Sequence, residues 1–365
     1  MRWLKSLPLL LLGILLATQA YAEQQKRRVF VVSSYHKSYL WSESTQRGLI
    51  SAMVNYGYLD NTRQANDFTK NDYVESSKAV IKKEWMNTKR KNSISEIAKA
   101  TDRIMRSIEE FKPDLVLLGD DNAANYIGNQ LLDTPTPVVF WGINGLPLKY
   151  GLVESMDSPG HNITGVWQVG YPKQSLEFLH RLVPQAKTFA VLACDSETSR
   201  PRFKQIQNLD KSKKLPLKMV DAVITNSFSE FKARALELAA RVDAFFILNH
   251  DTLKDDQDRH VDMLDAGKWY LENIKKPEVT PSAQFVREGM LLTVSDSGYN
   301  QSYKAFEMAY DILEQGLNPS RMRTLVPPQG PLMVNRLRAQ TLGIALKDKL
   351  NTIDEIVDES IALKR

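Results

Sequence analysis

Carboxylate and amide side chains follow two apolar runs in the middle of this sequence. The triplet Asp120-Asp121-Asn122 comes directly after the run at 115–118, and Asn144 follows the run at 138–141. Continuous apolar runs of this length are typical of strands buried on both faces of a parallel sheet. Ligands of such sheets bind at the carboxyl ends of the strands. A carboxylate there can pair with a cation, so we predict the mouth of a small-molecule site.

These polar side chains also fit structural roles. Asp and Asn cap helix N-termini well, and a helix is expected to begin near Ala123. We therefore expect one of Asp120 and Asp121 to act as a cap and the other to face a ligand, and we assign Asp121 and Asn122 to the ligand. Asn144 precedes a glycine and equally fits a turn.

A second group of candidates follows the β-branched run at 28–34. Ser34 and Tyr35 carry hydroxyl groups and precede a predicted helix that starts near Trp41. A helix N-terminus after a strand attracts a carboxylate through its free N–H groups, and Trp41 can stack on an aromatic ligand. The alternative is a helix cap and a tryptophan packed in the core.

The second half of the chain repeats this arrangement, because polar residues again follow predicted strands or precede helices. Each of them fits a helix cap or a ligand contact. The predicted ligand-binding residues of this half are Asp195, Ser196, Asn249, Asp251, Asp296 and Tyr299.

Motifs for other chemistry are missing from the sequence. It contains no G-x-S-x-G, Walker A, G-x-G-x-x-G or Cys-x-x-Cys pattern. The acidic segment His250–His260 lacks the glycine of an EF-hand and contains no H-E-x-x-H. We predict no catalytic residue, metal or cofactor, and therefore a protein that is not an enzyme. A net charge of +5 is too mild to suggest a nucleic-acid partner.

The N-terminus has the pattern of a secretory signal peptide. Basic residues at 2 and 5 precede an apolar stretch and an A-x-A-like site ending at Ala22. We expect cleavage after Ala22, so that residues 1–22 form the signal peptide. Cys194 is the only cysteine, and it cannot form an internal disulfide. These features predict a bacterial periplasmic protein.

Strand and helix patterns alternate along the rest of the chain, which predicts an α/β fold with largely parallel sheets. Ser93 and Ser227 each begin a capping box, with a glutamate three residues later. Helix is predicted at 258–273, and strands at 163–168, 280–285 and 290–294. The stretch at 57–71 has no clear period, and 57–93 is the least regular part of the sequence. The length supports two domains, each with its own core.

Several segments resemble bacterial ABC-transporter substrate-binding proteins of the periplasmic binding protein type I fold. They cover most of the chain, and the third is the most specific. The segments are SSYHKSYLW, FKPDLVLLGDDNA, TPVVFWGINGLPLKYGLVESMDSPGHNITGV, LVPQAKTFAVL and LMVNRLRAQTLGI.

The resemblance implies two Rossmann-like lobes, joined by a hinge of three crossings, that close on a ligand. It would place the crossings near 144–147, 295–297 and 323–328. One lobe would then contain residues 27–145 and 297–323. The other lobe would contain residues 146–296 and 324–365.

The implied function is capture of a small ligand, an aromatic or other amino acid, and its delivery to an inner-membrane ABC permease. A sensing module that presents its bound state to a membrane histidine kinase or chemoreceptor would have the same fold and cleft. The sequence leaves these two possibilities open.

Overall fold

A computed structural model describes residues 25–365. The predicted signal peptide lies outside the described residues. Within residues 25–365, no helix is both long enough and apolar enough to span a bilayer.

The first sheet has six strands in the order β2-β3-β1-β4-β5-β6, and all neighbours are parallel except β2 and β3. Its strands are β1 (Arg27–Ser33), β2 (Tyr73–Glu75), β3 (Ala79–Trp85), β4 (Leu115–Gly119), β5 (Val138–Ile143) and β6 (Ile163–Trp167). Every residue of β4 and β5 is buried, which confirms the expectation drawn from their apolar runs.

Helices cover both faces of the first sheet. They are α1 (Leu40–Asn55), α2 (Thr62–Asn71), α3 (Ile94–Phe111) and α4 (120–131, with a π-helical stretch at Ala123–Gly128). The capping box of α3 is present, because Ser93 and Glu96 satisfy each other's backbone N–H groups. The apolar faces of these helices form separate cores on the two sides of the sheet.

The second sheet has seven strands in the order β13-β12-β11-β10-β9-β7-β8, and only β11 and β12 pair antiparallel. Its strands are β7 (Thr188–Ala193), β8 (Lys218–Ile224), β9 (Ala244–Ile247), β10 (Glu278–Val279), β11 (Leu292–Val294), β12 (Leu332–Asn335) and β13 (Glu355–Val357). The helices that follow α4 in the chain are α5 (Pro172–Leu182), α6 (Ser199–Lys211), α7 (Phe228–Ala239), α8 (Met263–Asn273), α9 (Ala283–Glu288), α10 (Gly298–Gln315) and α11 (Arg336–Thr341).

Helix α10 returns to the first lobe and packs along α1. The two helices approach closely at Gly48, where an added Cβ would lie 2.2 Å from the carbonyl oxygen of Tyr299. Any larger residue at 48 would therefore push the helices apart. This contact builds the first lobe from two separate parts of the chain, as the resemblance implies.

Three segments connect the lobes. The chain leaves the first sheet after β6, through 168–171, and returns at 295–297 before α10. It crosses again at 326–331, since Leu325 still pairs with Val166 of the first sheet and β12 lies in the second. The structure thus has two α/β lobes with mostly parallel sheets, and the predicted fold class is confirmed.

The structure differs from four sequence-based expectations. Strand β6 pairs with β5, so residues 146–167 lie in the first lobe and the first crossing comes after 167 rather than near 144–147. The predicted strand at 280–285 is wrong, because α9 begins at Ala283 after a short β10. The helix predicted at 258–273 begins only at Met263. The stretch at 57–71 contains α2, a polar helix with only two buried residues.

Candidate functional site

Three aromatic side chains from the segment after β1 lie between the two lobes. Tyr35, Tyr39 and Trp41 have exposed fractions of 3, 3 and 7%. They belong to the same apolar cluster as Leu253 and Phe285 of the second lobe. The loop that the sequence predicts to form a site therefore reaches across the cleft.

Polar contacts also join the lobes directly. The Tyr35 hydroxyl lies 3.2 Å from Thr198 Oγ1 at the start of α6. Tyr39 donates its hydroxyl proton to Asp251, and Lys89 Nζ lies 3.0 Å from the other oxygen of that carboxylate. Because Lys89 follows β3 and Asp251 follows β9, these bonds hold the carboxyl ends of the two sheets together.

Asp251 is the charged centre of these contacts. Burial favours its protonated form, but Lys89 and the donors Tyr39 and Asn249 outweigh burial and lower the pKa of Asp251 to about 2. Burial raises the pKa of Tyr39 well above its usual value, and the Asp251 charge adds to the effect. At neutral pH the contact therefore joins a carboxylate to a neutral phenol, with Lys89 as the ion-pair partner of the carboxylate.

Arg202 of α6 makes the second set of contacts between the lobes. Its Nε donates to Asn144 Oδ1 at 2.9 Å, and its Nη2 donates to Gln168 Oε1 at 3.0 Å. The same Nη2 forms an ion pair with Asp296 at the second crossing. One guanidinium group thus contacts the end of the first sheet and two of the hinge segments.

A small cavity of about 30 Å³ lies among these side chains. It exceeds the space that one water needs, on the order of 10–15 Å³, but it is much smaller than an amino acid. Trp41 and Gln284 line both this cavity and a wide open groove beside it. Entry of a larger ligand therefore requires the lobes or these two side chains to move. The cavity is lined by Tyr35, Tyr39, Trp41, Asn144, Gln168, Thr198, Arg202, Asn249, Pro281, Ser282, Gln284 and Phe285.

The two adjacent aspartates after β4 have different environments. Asp121 accepts hydrogen bonds from the backbone N–H groups of Asn144 and Gly145, from the Asn144 amide and from the Tyr150 hydroxyl. It anchors the loop after β5. Asp120 accepts a hydrogen bond from the indole N–H of Trp41, with Nε1 2.7 Å from its Oδ1.

Burial dominates the ionisation of Asp120. It raises the pKa of this carboxyl to about 8, against the Trp41 hydrogen bond, which lowers it. Asp120, the first residue of α4, also has a left-handed backbone, with φ of 69°. It is thus a buried carboxyl group in an uncommon conformation, directly behind one wall of the cavity.

Half of the predicted site residues line the small cavity or belong to the polar contacts around it, and the other half do not. The first half consists of Tyr35, Trp41, Asn144, Asn249, Asp251 and Asp296. The others bind their own loops or lie apart from the cavity: Ser34 (to Gly119 O and Ala123 N–H), Asp121, Asn122 (to Thr88 Oγ1), Asp195 (to Arg200), Ser196 (to Ser199) and Tyr299 (stacked on Tyr303 beside the open groove).

Sequence reasoning missed the side chains that carry most of the contacts between the lobes. Lys89 lies in the irregular stretch at 57–93, and Arg202 is one of several basic residues in a helix. No local pattern distinguishes either of them from a solvated cation. Tyr39 belongs to the predicted loop, so its position after β1 was an available signal. The residues missed are Tyr39, Lys89, Gln168, Thr198, Arg202 and Gln284.

Two α/β lobes that are joined by three crossings and meet around a polar, aromatic-lined cavity define a two-lobed ligand-binding protein. Residues 74–356 match the family of ABC transporter substrate binding proteins, which is most of the chain. The chain belongs to this family, and the resemblance seen in the sequence is confirmed.

Relatives with known ligands support the same class. A tyrosine-binding protein of Clostridioides difficile is 26% identical over 204 residues, 56% of this chain and 55% of the relative. The match thus spans about half the length of that curated relative.

Solved structures share the fold. A Streptococcus pneumonia ABC domain in complex with L-Trp has a TM-score of 0.69 at 19% identity, over 91% of this chain and 100% of that one. The ligand-free, open structure of a Clostridium difficile substrate binding protein with adhesive properties has a TM-score of 0.61 at 20% identity. That match covers 91% of this chain and 99% of the other chain.

Proposed function

We propose that this protein is a periplasmic binding protein that captures an amino acid, aromatic or of another kind, between its lobes and delivers it to an inner-membrane ABC permease. The observation that carries the proposal is the convergence of side chains from both lobes on one small cavity. Tyr35, Tyr39 and Trp41 come from the first lobe, and Thr198, Arg202 and Asn249 come from the second.

The chemistry of the cavity region suits an amino acid. Aromatic faces offer stacking surfaces. Charges of both signs lie beside them, with Lys89 and Arg202 as cations and Asp251 and Asp296 as anions. A zwitterion needs both signs in a small space, and the relatives named for tyrosine and crystallised with L-Trp give the ligand class precedent.

Closure of the lobes would connect ligand binding to transport. Bonds such as those of Tyr39 and Lys89 with Asp251 form only when the lobes meet. A ligand that adds contacts to both lobes shifts the population toward this closed state, and a partner in the membrane can read the difference. The proposal is therefore binding without turnover, with no cofactor.

The first test is native mass spectrometry of the protein purified from the periplasm of its own host, compared with a denatured sample. We expect a discrete extra mass that is lost on denaturation. Isothermal titration against the standard amino acids should then give the ligand class. The absence of both an extra mass and a heat signal would contradict the ligand proposal.

Delivery needs a separate test. The protein is first loaded with the ligand found above. It should then stimulate the ATPase activity of an ABC permease that is encoded by a neighbouring gene and reconstituted in proteoliposomes. Stimulation of a histidine kinase or chemoreceptor instead, with no effect on the permease, would assign the protein to sensing. Secretion is checked by N-terminal sequencing of the mature protein, for which we expect a start at Glu23.

A further inference from the structure

The buried ammonium group of Lys89 lies in surroundings that could recognise a cation. The carboxylate of Asp251 is 3.0 Å from Nζ, and Thr198 Oγ1 is 3.4 Å away. Nζ also lies over two aromatic rings, 4.4 Å from the centroid of Tyr35 and 5.5 Å from that of Tyr39. A carboxylate, a hydroxyl and two aromatic faces are the groups that bind amines in proteins.

These groups come from both lobes, and all are buried. The side chains of Lys89 and Asp251 are only 3 and 2% exposed. The lysine is anchored in the first lobe, in the segment after β3, and its head reaches Asp251 and Thr198 of the second lobe. Separation of the lobes would therefore withdraw the ammonium group and leave Asp251 and Thr198 facing the cleft.

The position of this contact relates it to the cavity. Tyr35, Tyr39 and Thr198 line the cavity, and so does Asn249, whose amide donates to Asp251. Three of the four groups around the Lys89 ammonium group thus form one side of the space in which a ligand would bind, and Asp251 lies behind Asn249. A ligand amine that reached Asp251 would need the place that Nζ now fills.

We propose that Asp251, Tyr35, Tyr39 and Thr198 form the recognition site for the ligand's ammonium group, and that Lys89 is an internal competitor which fills this site when the lobes close without ligand. This inference rests on the proposed function and names the part of the ligand that the site reads. Lys89 thereby raises the affinity that a ligand amine needs in order to bind, because only a ligand that displaces Lys89 gains the contact with Asp251. The observed affinity is reduced by the fraction of molecules in which Lys89 is bound.

The test replaces Lys89 by methionine, which keeps a long unbranched side chain without the charge. Three probes are titrated by calorimetry into protein stripped by unfolding and refolding: L-tryptophan, tryptamine, which lacks the carboxylate, and indole-3-propionate, which lacks the amine. We expect the preference for the two amines over indole-3-propionate to rise about tenfold or more in K89M. The ratio is used because easier opening of the cleft favours all three probes equally.

Two further variants sharpen the result. D251N should reduce the preference for amines to near unity, because the carboxylate that pairs with them is gone. K91M is the matched control, since Lys91 is an exposed lysine two positions further along the same segment, and it should bind like the wild type. K89Q repeats the test with a polar side chain should K89M fold poorly.

The outcomes separate the inference from the proposed function. An unchanged or lower preference for amines in K89M and K89Q, with binding retained, overturns the inference alone. Weaker binding of both carboxylate-bearing probes would instead make Lys89 the group that holds the ligand carboxylate. If the refolded wild type and K89M bind neither these probes nor any standard amino acid, both the inference and the proposed ligand class fail.

Discussion

Arg202 and Asp296 form a buried ion pair between helix α6 of the second lobe and the second crossing, with side chains that are 6 and 3% exposed. The same guanidinium group donates to Asn144 and Gln168 of the first lobe and its hinge segment. Arg202 thus joins the two lobes to each other and to the hinge between them. Since its partners belong to different elements, it helps to fix the angle at which the lobes meet.

Loss of this arginine should destabilise the protein. R202M leaves the Asp296 carboxylate buried without a cation, so we expect the free energy of unfolding to fall by about 3–5 kcal/mol. The double variant R202M/D296N removes the unpaired charge and should recover part of this loss. Guanidinium denaturation followed by circular dichroism measures both effects.

The matched control for R202M is R234M. Arg234 pairs with Asp221 and Glu237, but its side chain is 33% exposed and its partners 30 and 46%. Solvent screens such pairs, so we expect R234M to lose much less stability than R202M. Equal losses of stability in R202M and R234M would show that burial of the Arg202–Asp296 pair does not increase its contribution to the free energy of unfolding.

The buried carboxyl group of Asp120 should make the free energy of unfolding depend on pH. Its pKa is about 8 in the folded protein and near 4 in the unfolded chain, because burial disfavours the charged form. From about pH 4 to about pH 8 the folded state holds a proton that the unfolded state has lost, so stability falls as the pH rises. The groups that face this carboxyl are Asp121, Lys83, Lys89 and Tyr35.

Replacement of Asp120 by asparagine removes this dependence. Asparagine tolerates a left-handed backbone and still accepts from Trp41. We expect D120N to be more stable than the wild type at pH 8, on the order of several kcal/mol, and the difference to vanish near pH 4. Unfolding is measured at several pH values, with D133N, another aspartate of positive φ, as the exposed control. A constant difference across pH would contradict the assigned ionisation.

The neighbouring Asp121 predicts a different result. Its carboxylate accepts four hydrogen bonds from the segment 144–150, and an asparagine would present N–H groups to some of these donors. We expect D121N to lose about 2–3 kcal/mol of stability, since bonds to a charged acceptor are strong and the donors are left buried. Hydrogen exchange should show faster exchange of the Asn144 and Gly145 amides. Unchanged exchange would mean that other contacts hold this loop.

Much of the fold could be predicted because local patterns record it. The apolar runs of β4, β5 and β7 can be buried only in a two-sided sheet, and Ser93 with Glu96 defines the start of α3. The lobe to which β6 belongs could not be predicted, because its residues suit either sheet and only its pairing with β5 decides.

The contacts between the lobes were less predictable for a related reason. Strand ends indicated Tyr35, Asn249 and Asp251, since polar residues there face the cleft of any such fold. Lys89 and Arg202 become distinctive only through partners more than 90 residues away, Asp251 and Asp296. Asp121, predicted to face a ligand, is instead bound to Asn144, 23 residues later, and no local pattern indicates that pair.

Cys194 offers a chemical test of closure. It directly follows β7, is fully buried, and its sulfur lies 3.6 Å from Asp251 Oδ1, beneath the contact between the lobes. Burial raises the pKa of its thiol, with the Asp251 charge in support, so little thiolate is present at neutral pH. We expect Ellman's reagent to react very slowly with the folded protein and completely in concentrated guanidinium chloride.

The rate of this reaction should follow the separation of the lobes. Loss of the Lys89–Asp251 contact in K89M favours the open state, so its thiol should react faster than that of the wild type, whereas K91M should not change the rate. Ligand should slow the reaction in all three proteins, because closure covers Asp251 again. Equal rates in K89M and the wild type would mean that the Lys89–Asp251 pair does not control access to the cleft.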